Sequence, residues 1–147
     1  MESEQLSIEP DSPSVQAHLG IIQSVIQRMS TNSSSCKAWC VSLVAAILVI
    51  VADKGKPDYA WIAILPSIVF AALDTYYLAL ENSFRNSYNE FVDKVHTKRL
   101  TFKDLYSVTP SGNMNKLQIK SLLSFSIWGF YLSLIALIAI TKTIALG

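Results

Sequence analysis

Three apolar segments dominate the pattern of hydrophobic and polar positions along the chain. Residues 38–52 form an uncharged run, and Lys37 could snorkel to bring it near the ~17 residues of a short spanning helix. Residues 59–80 contain a single charge, Asp74, and residues 121–141 contain none. Because about 20 apolar residues cross a bilayer as a helix, the pattern predicts three transmembrane helices, of which the first is the shortest.

The polar stretches between these segments predict a hairpin and a longer region outside the membrane. Gly55 and Pro57 lie between the first two segments, and this pair is typical of a tight turn. Residues 81–120 hold seven basic residues against four acids. The positive-inside rule therefore predicts that residues 81–120 and the N-terminus lie in the cytoplasm. We expect a multi-pass protein of the bacterial inner membrane with its C-terminus in the periplasm.

The region ahead of the first segment predicts an amphipathic helix. Residues 1–11 are polar and acidic, which is typical of a disordered tail, and Ser12 followed by Pro13 is typical of a helix start. The polar run at residues 31–35 predicts a flexible hinge where this helix ends. Apolar side chains recur between these points on one face at helical spacing, namely Val15, Leu19, Ile22, Ile26 and Met29.

Two interpretations of this helix are open. It could lie on the inner leaflet or pack on the cytoplasmic region, although its polar face is rich in Gln and Ser rather than in Lys, unlike the usual interfacial helix. It could instead pack with copies of itself or plug a pore, and the hinge at residues 31–35 would then let it move.

The second apolar segment predicts a helix that continues beyond the membrane. A near-heptad apolar stripe runs from Leu73 through Phe84 to Val95, and neither Gly nor Pro interrupts residues 67–100. A single helix over residues 59–99 would be roughly 60 Å long at 1.5 Å per residue. Its apolar stripe must be buried against the N-terminal helix, the rest of the cytoplasmic region or other copies of the chain.

Together these elements predict an all-α integral membrane protein with an amphipathic N-terminal helix, three transmembrane helices and a long cytoplasmic helical extension of the second span. The chain divides into an acidic tail (residues 1–11), a helix with its hinge (12–35) and a transmembrane hairpin (36–80). A cytoplasmic helical segment (81–120) and a third span with a short C-terminus (121–147) follow.

Composition excludes several classes of function. Charged residues make up 16% of the chain, below the roughly 25% of soluble domains, and a net charge of +1 is too small for a general nucleic-acid binder. None of the common catalytic or nucleotide-binding motifs occurs, so we expect neither an enzyme nor a cofactor. Cys36, Cys40 and His18 are three possible metal ligands without a clear fourth, which favours packing over a metal site.

Asp74 is the residue with the clearest functional potential. It lies roughly 10 Å inside the second span from Glu81, where a carboxylate facing lipid costs a few kcal/mol. It could be a pore or vestibule acid that favours cations or titrates as a gate, with Thr75 beside it at a polar inner mouth. Alternatively, it caps a neighbouring helix, pairs with a base such as Lys37, or is hydrated near the membrane surface.

The third span carries small residues on one face. Ser126, Gly129, Ser133 and Ala136 recur at helical spacing, and small residues allow helices to approach closely in membranes. The stripe could pack against the other two spans or line a pore made by several chains. The pore candidates are therefore Asp74, Thr75, Ser126, Gly129 and Ser133.

A basic cluster follows the predicted cytoplasmic helix. It could hold a phosphate-bearing ligand, such as a nucleotide or oligonucleotide signal. Basic residues beside a membrane more often set topology and contact anionic lipid. The members of the cluster are Lys94, His96, Lys98, Arg99 and Lys103.

The order of these parts resembles small membrane effectors of bacterial anti-phage systems, which have an amphipathic N-terminal helix, a tight hairpin of membrane helices and a cytoplasmic helix. Residues 15–29, 38–80 and 81–99 match these parts. The chain is similar to the two-helix membrane effectors that accompany nucleotide-second-messenger synthases. It is also similar to the channel component of the Hailong system, in which N-terminal helices are thought to plug an oligomeric pore. The resemblance covers about residues 13–100, and the third span departs from the two-helix pattern.

Three functions are consistent with the sequence. The first is a homo-oligomeric channel or pore-forming effector, gated from the cytoplasm by residues 12–29, which would depolarise the membrane and arrest growth in anti-phage defence. A conducting form must assemble from several copies in the bilayer, because three spans are too few to enclose a wide path. The second is a holin-like protein that forms membrane lesions. The third is a non-conducting anchor or regulatory subunit for a cytoplasmic partner protein.

Overall fold

The computed structural model describes residues 9–145, which fold into helices without a strand in that range. Residues 1–8, most of the predicted acidic tail, lie outside the described part of the chain, as do residues 146 and 147. The four α-helices are α1 (Pro13–Lys54), α2 (Ile64–His96), α3 (Met114–Leu122) and α4 (Phe125–Ile140). Short 3-10 helices cover Pro57–Ala63 and Phe102–Asp104, and a π-helical turn covers Thr141–Ala145.

Helix α1 runs unbroken through residues 31–35, so the prediction of a hinge there was wrong. Ser, Thr and Asn lower helix propensity by only a few tenths of a kcal/mol each, and packing overrides that cost. Ser33 and Cys36 lie in the interior at 7% exposure each. The 42 residues of α1 extend roughly 63 Å at 1.5 Å per residue.

A tight turn joins α1 to α2, as the sequence predicts. Gly55 adopts a left-handed conformation with φ 59°, which glycine tolerates because it has no Cβ. Its backbone N–H donates to the carbonyl of Ala52, and Lys56 N–H donates to that of Val51, which closes the end of the helix. The 3-10 helix Pro57–Ala63 then leads directly into α2, so the second arm is helical from Pro57 to His96.

The N-terminal half of α1 packs on the C-terminal half of α2 and on the segment that follows it. We call this assembly of residues 13–35 and 81–122 the polar head. Val15 and Ile22 are buried against Phe91 and Leu105, and Met29 is also buried. Leu19 and Ile26 are half-buried at the edge of the same cluster. The head therefore buries the amphipathic face of α1 against the end of the α2 stripe, where Phe91 is buried and Val95 is half-buried. The prediction that the whole stripe is buried was wrong at its start, since Leu73 is 43% exposed.

The remaining halves of α1 and α2 form a three-helix bundle with α4. Its core is built from Cys40, Val44, Ala63, Ile127, Tyr131, Leu134 and Ile138. Helix α4 begins at Phe125, four residues later than the predicted third span, because the extended backbone of Ser124 separates it from α3. Three helices of the described chain are long and apolar enough to cross a membrane, which indicates a multi-pass membrane protein.

Candidate functional site

The interior of the bundle contains an ion pair between α1 and α2. Asp74 on α2 is fully buried, and its Oδ2 lies 2.5 Å from Lys37 Nζ. The hydroxyl of Ser33 donates to Oδ1 of the same carboxylate at 2.5 Å. Ser33 and Lys37 are four residues apart on α1, so one face of that helix presents both partners. Among the alternatives for Asp74, pairing with Lys37 is the one observed.

Helix α4 closes the same cluster from the third side. Tyr131 is 4% exposed, and its hydroxyl lies beside Asp74 without a well-aligned hydrogen bond within the described residues. The Lys37 ammonium lies 6.0 Å from the ring centroid of Phe130, at the outer limit of a cation–π contact. We call Ser33, Lys37, Asp74 and Tyr131 the buried polar cluster. It connects all three helices of the bundle at the level where the head begins.

Thr75 lies next to Asp74 but does not join this cluster. Its hydroxyl donates to the carbonyl of Ala71 at 2.7 Å, within its own helix. The side chain is 8% exposed. Asp74 is fully buried, whereas Thr75 borders a cleft of about 380 Å³ between α2 and α3, which Gln118 and Leu122 line from the other side.

The small-residue stripe of α4 faces away from the other helices, which contradicts one of its two interpretations, that it packs against the other two spans. Ser126 and Ser133 are exposed, and Gly129 is half-buried. The inward face of α4 is instead the one that carries Ile127 and Leu134. A local contact accounts for Gly129, since a Cβ there would come within 3.0 Å of the Phe125 ring. Lining of a pore by several chains stays a prediction for this face.

A cleft of about 400 Å³ opens in the polar head between α1, α2 and residues 103–112. Two members of the predicted basic cluster, Lys94 and Lys103, line this cleft. The chain turns sharply after α2 through Lys98, which has φ 55°. The cluster is therefore divided, and three members lie exposed at the end of the helix without lining the cleft, namely His96, Lys98 and Arg99.

Asp104 neutralises one of the two lysines that line the cleft. Its carboxylate lies 2.6 Å from Lys94 Nζ and accepts hydrogen bonds from the backbone and hydroxyl of Thr101. Partial burial opposes the charged form, but these bonds prevail and lower the pKa of Asp104 to about 2. Lys103 forms no ion pair within the described residues, so it is the cation available to an anionic ligand.

His18, which the sequence offered only as a possible metal ligand, has a different role in the head. It is 1% exposed, its ring centroid lies 4.2 Å from that of Phe91, and its Nδ1 accepts the backbone N–H of Tyr106 at 2.9 Å. Burial lowers the pKa of His18, and the nearby charge of Asp104 acts in the opposite direction. Its position between Val15 and Ile22, on the buried face at helical spacing, was the signal available in the sequence.

The three possible metal ligands are not brought together. Cys36 and Cys40 are buried in the bundle, and the Cys40 thiol lies 3.9 Å from the Ser67 hydroxyl. His18 lies 18 residues earlier than Cys36 on the same helix, roughly 27 Å away at 1.5 Å per residue. Within residues 9–145, no group of three or more His, Cys, Asp or Glu side chains is placed to hold a metal ion.

No protein-family model matches this chain, and neither a curated protein nor a solved structure is significantly similar to it.

Proposed function

We propose that this chain is the subunit of a homo-oligomeric membrane channel that is opened and closed by its polar head. The observation that carries the proposal is the continuity of α1. One unbroken helix holds His18 in the head and Lys37 in the buried polar cluster. A change in the head can therefore reach the ion pair in the bundle without crossing a flexible segment.

Assembly of several copies is part of this proposal. The core of the bundle is a cluster of buried apolar side chains, so we expect a water-filled path at an interface between chains. The outward face of α4 offers small polar side chains at Ser126 and Ser133, where close approach of a neighbouring helix is sterically easy. Lipid would cover the large apolar side chains on the rest of the outer surface.

The buried polar cluster is the proposed lock of the closed state. A charged carboxylate in the interior requires a partner, and Lys37 and Ser33 supply that partner from α1. Rotation or withdrawal of α1 would leave Asp74 without its partners. In an assembled ring the carboxylate would then face the water-filled path, where a negative charge favours cations.

Control by a phosphate-bearing signal is supported by the cleft in the head. Lys94 and Lys103 line it together with hydroxyl groups from residues 107–111, a combination that suits phosphate oxygens. A nucleotide or oligonucleotide would compete with Asp104 for Lys94. The proposed topology places this head in the bacterial cytoplasm, as the excess of basic residues in residues 81–120 favours.

A role in anti-phage defence is supported by the order of parts, which resembles membrane effectors of such systems. Opening of the channel would depolarise the inner membrane and arrest growth.

Membrane potential in cells that express the full chain tests the proposal. With a potential-sensitive dye, we expect the unaltered chain to be largely silent and Lys37→Met to depolarise, because loss of the ammonium breaks the lock. Lys142→Met is the matched control, since Lys142 pairs with an exposed Asp58 far from the cluster. If Lys37→Met and a chain lacking residues 1–30 both leave the potential intact while present in the membrane, the channel proposal is wrong.

A non-conducting regulatory subunit is the second candidate. Phe102 and Tyr106 are each 63% exposed on the segment that borders the cleft, and exposed aromatic side chains are frequent in protein interfaces. Purification in mild detergent separates the two functions. A closed ring of identical chains supports the channel, whereas a stoichiometric complex with another protein and no self-assembly supports the subunit.

A further inference from the structure

The hydrogen bond between His18 and Tyr106 joins the first helix to the segment that follows α2. The backbone N–H of Tyr106 donates to Nδ1, so Nδ1 carries no proton and the imidazole is neutral with its proton on Nε2. An imidazolium has a proton on both nitrogens and cannot accept this bond. Tyr106 itself has φ 63°, an unfavourable conformation for a non-glycine residue. Part of what holds it there is therefore the bond to His18.

The surroundings of His18 offer little compensation for a positive charge. The charged groups that line the same cleft are Glu90, Lys94, Lys103 and Asp104. Glu90 already accepts a hydrogen bond from Ser111, and Asp104 is paired with Lys94. The Phe91 ring packs against the imidazole at a tilt of 39° and supplies no charge. A second proton on His18 would therefore create a buried charge, and the carboxylate whose charge acts on it, Asp104, is already paired with Lys94.

We infer that His18 is a pH-responsive latch that holds the segment around Tyr106 to α1 and releases it when the imidazole is protonated. Release would widen the cleft and expose the apolar contact between Ile22 and Phe91. The inference does not depend on ion conduction, since the latch is a property of the head alone.

The direction of the pH dependence follows from burial. Burial lowers the pKa of His18 below its ordinary value of 6.5, so His18 binds a proton more readily when the segment is released or unfolded than when it is latched. The stabilising contribution of the latch is then fully present above about pH 6.5 and is lost as the pH falls towards the lowered pKa. Glutamate and aspartate have ordinary pKa values near 4, so they contribute little to a change between about pH 7.5 and 5.5.

Hydrogen–deuterium exchange of the full chain in nanodiscs tests this inference. After correction for the intrinsic rate, we expect the peptide that contains the Tyr106 amide to lose protection between pH 7.5 and 5.5. In His18→Asn, an amide oxygen near the position of Nδ1 keeps an acceptor that does not titrate, so protection should no longer depend on pH. His96→Gln is the matched control and should respond like the unaltered chain, because His96 is exposed at the end of α2. An equal pH response in His18→Asn would overturn the inference.

A second measurement, the NMR titration of His18, tests the latch even if His18→Asn packs poorly. With 13C-labelled histidine, His96→Gln leaves one imidazole signal, which reports the titration of His18 directly. We expect its midpoint below 6.5 and coincident with the midpoint at which Tyr106 loses protection. A midpoint at or above 6.5, or loss of protection that does not follow the titration, would contradict the latch.

Discussion

The Lys37 ammonium and the Asp74 carboxylate lie 2.5 Å apart in the interior of a bundle that has no other ion pair at that depth within the described residues. Lys37 is 21% exposed and Asp74 is 0% exposed, so lysine reaches the surface while aspartate depends entirely on its partners. Such a pair is weak evidence for stability as a whole, but removal of the lysine is costly because it leaves the aspartate as a buried, unpaired charge. This asymmetry makes the pair a sensitive point for perturbing how α1 meets α2.

Replacing Lys37 alone should lower stability more than replacing both members of the ion pair with apolar residues. Lys37→Met leaves a buried carboxylate without its cation, a change that costs about 3–5 kcal/mol at buried sites. The double variant Lys37→Met with Asp74→Leu should recover most of that loss. Thermal unfolding of the protein in detergent measures both. A double variant as unstable as Lys37→Met would show that the pair is not coupled.

Two neighbouring serines give a matched test of the same cluster. Ser33→Ala removes the hydrogen bond to Asp74 and should lower stability by roughly 1.5–3 kcal/mol, the range for bonds to charged groups. Ser34→Ala alters the next residue, which is exposed, and should change little. The difference in unfolding midpoint between the two variants is the measurement, and equal midpoints would exclude the Ser33 contact.

Asp104 should shift the pH at which the latch at His18 opens, although Asp104 itself does not titrate in that pH range. Its folded pKa of about 2 means that its own contribution is complete above about pH 3.9 and is lost only as the pH falls towards 2. It stays ionised between pH 5.5 and 7.5, where its charge raises the pKa of His18. Asp104→Asn should therefore move the His18 titration midpoint to lower pH. An upward or absent shift in the NMR titration would contradict this arrangement.

Two glycines on α1 and at its end should respond to alanine with opposite signs. Gly20 lies in the helix, and nothing lies within 4 Å of the position that an alanine methyl group would take. Gly20→Ala should therefore stabilise by roughly 0.5–1 kcal/mol through helix propensity. Gly55 has equally open space but φ +59°, so Gly55→Ala should destabilise by about 1–2 kcal/mol. Detergent unfolding midpoints that shift in the same direction would refute the assigned conformation of Gly55.

The outward face of α4 gives a direct test of assembly. If copies meet at this face, Ser133→Cys should form a disulfide-linked dimer under mild oxidation in membranes, since Ser133 is exposed. Leu132→Cys lies on the adjacent face of the same helix and is 56% exposed as leucine, so it should cross-link less. Equal cross-linking at both positions, or none at either, would count against an ordered interface along the small-residue stripe.

The sequence predicted those features that depend on local pattern. Apolar length and the Gly55 turn located the span-length helices, and the cost of a lone carboxylate in a membrane identified Asp74 and suggested Lys37 as a partner. The error at residues 31–35 arose because Ser33 has a long-range contact to α2, which local propensity does not contain. The contact of His18 could not be predicted for the same reason, since Tyr106 lies 88 residues away in sequence.

Because α1 is long, a small tilt of this helix within the bundle would displace its N-terminal half by a much larger distance. Lys37 lies 19 residues beyond His18 on the same rod, roughly 28 Å at 1.5 Å per residue. With Lys37 as fulcrum, a tilt of about 10° would carry His18 sideways by roughly 5 Å, because displacement grows with the length of the arm. That distance exceeds the reach of a hydrogen bond. A slight tilt of α1 about Lys37 would therefore be enough to break the hydrogen bond between His18 and Tyr106 at the other end of the helix.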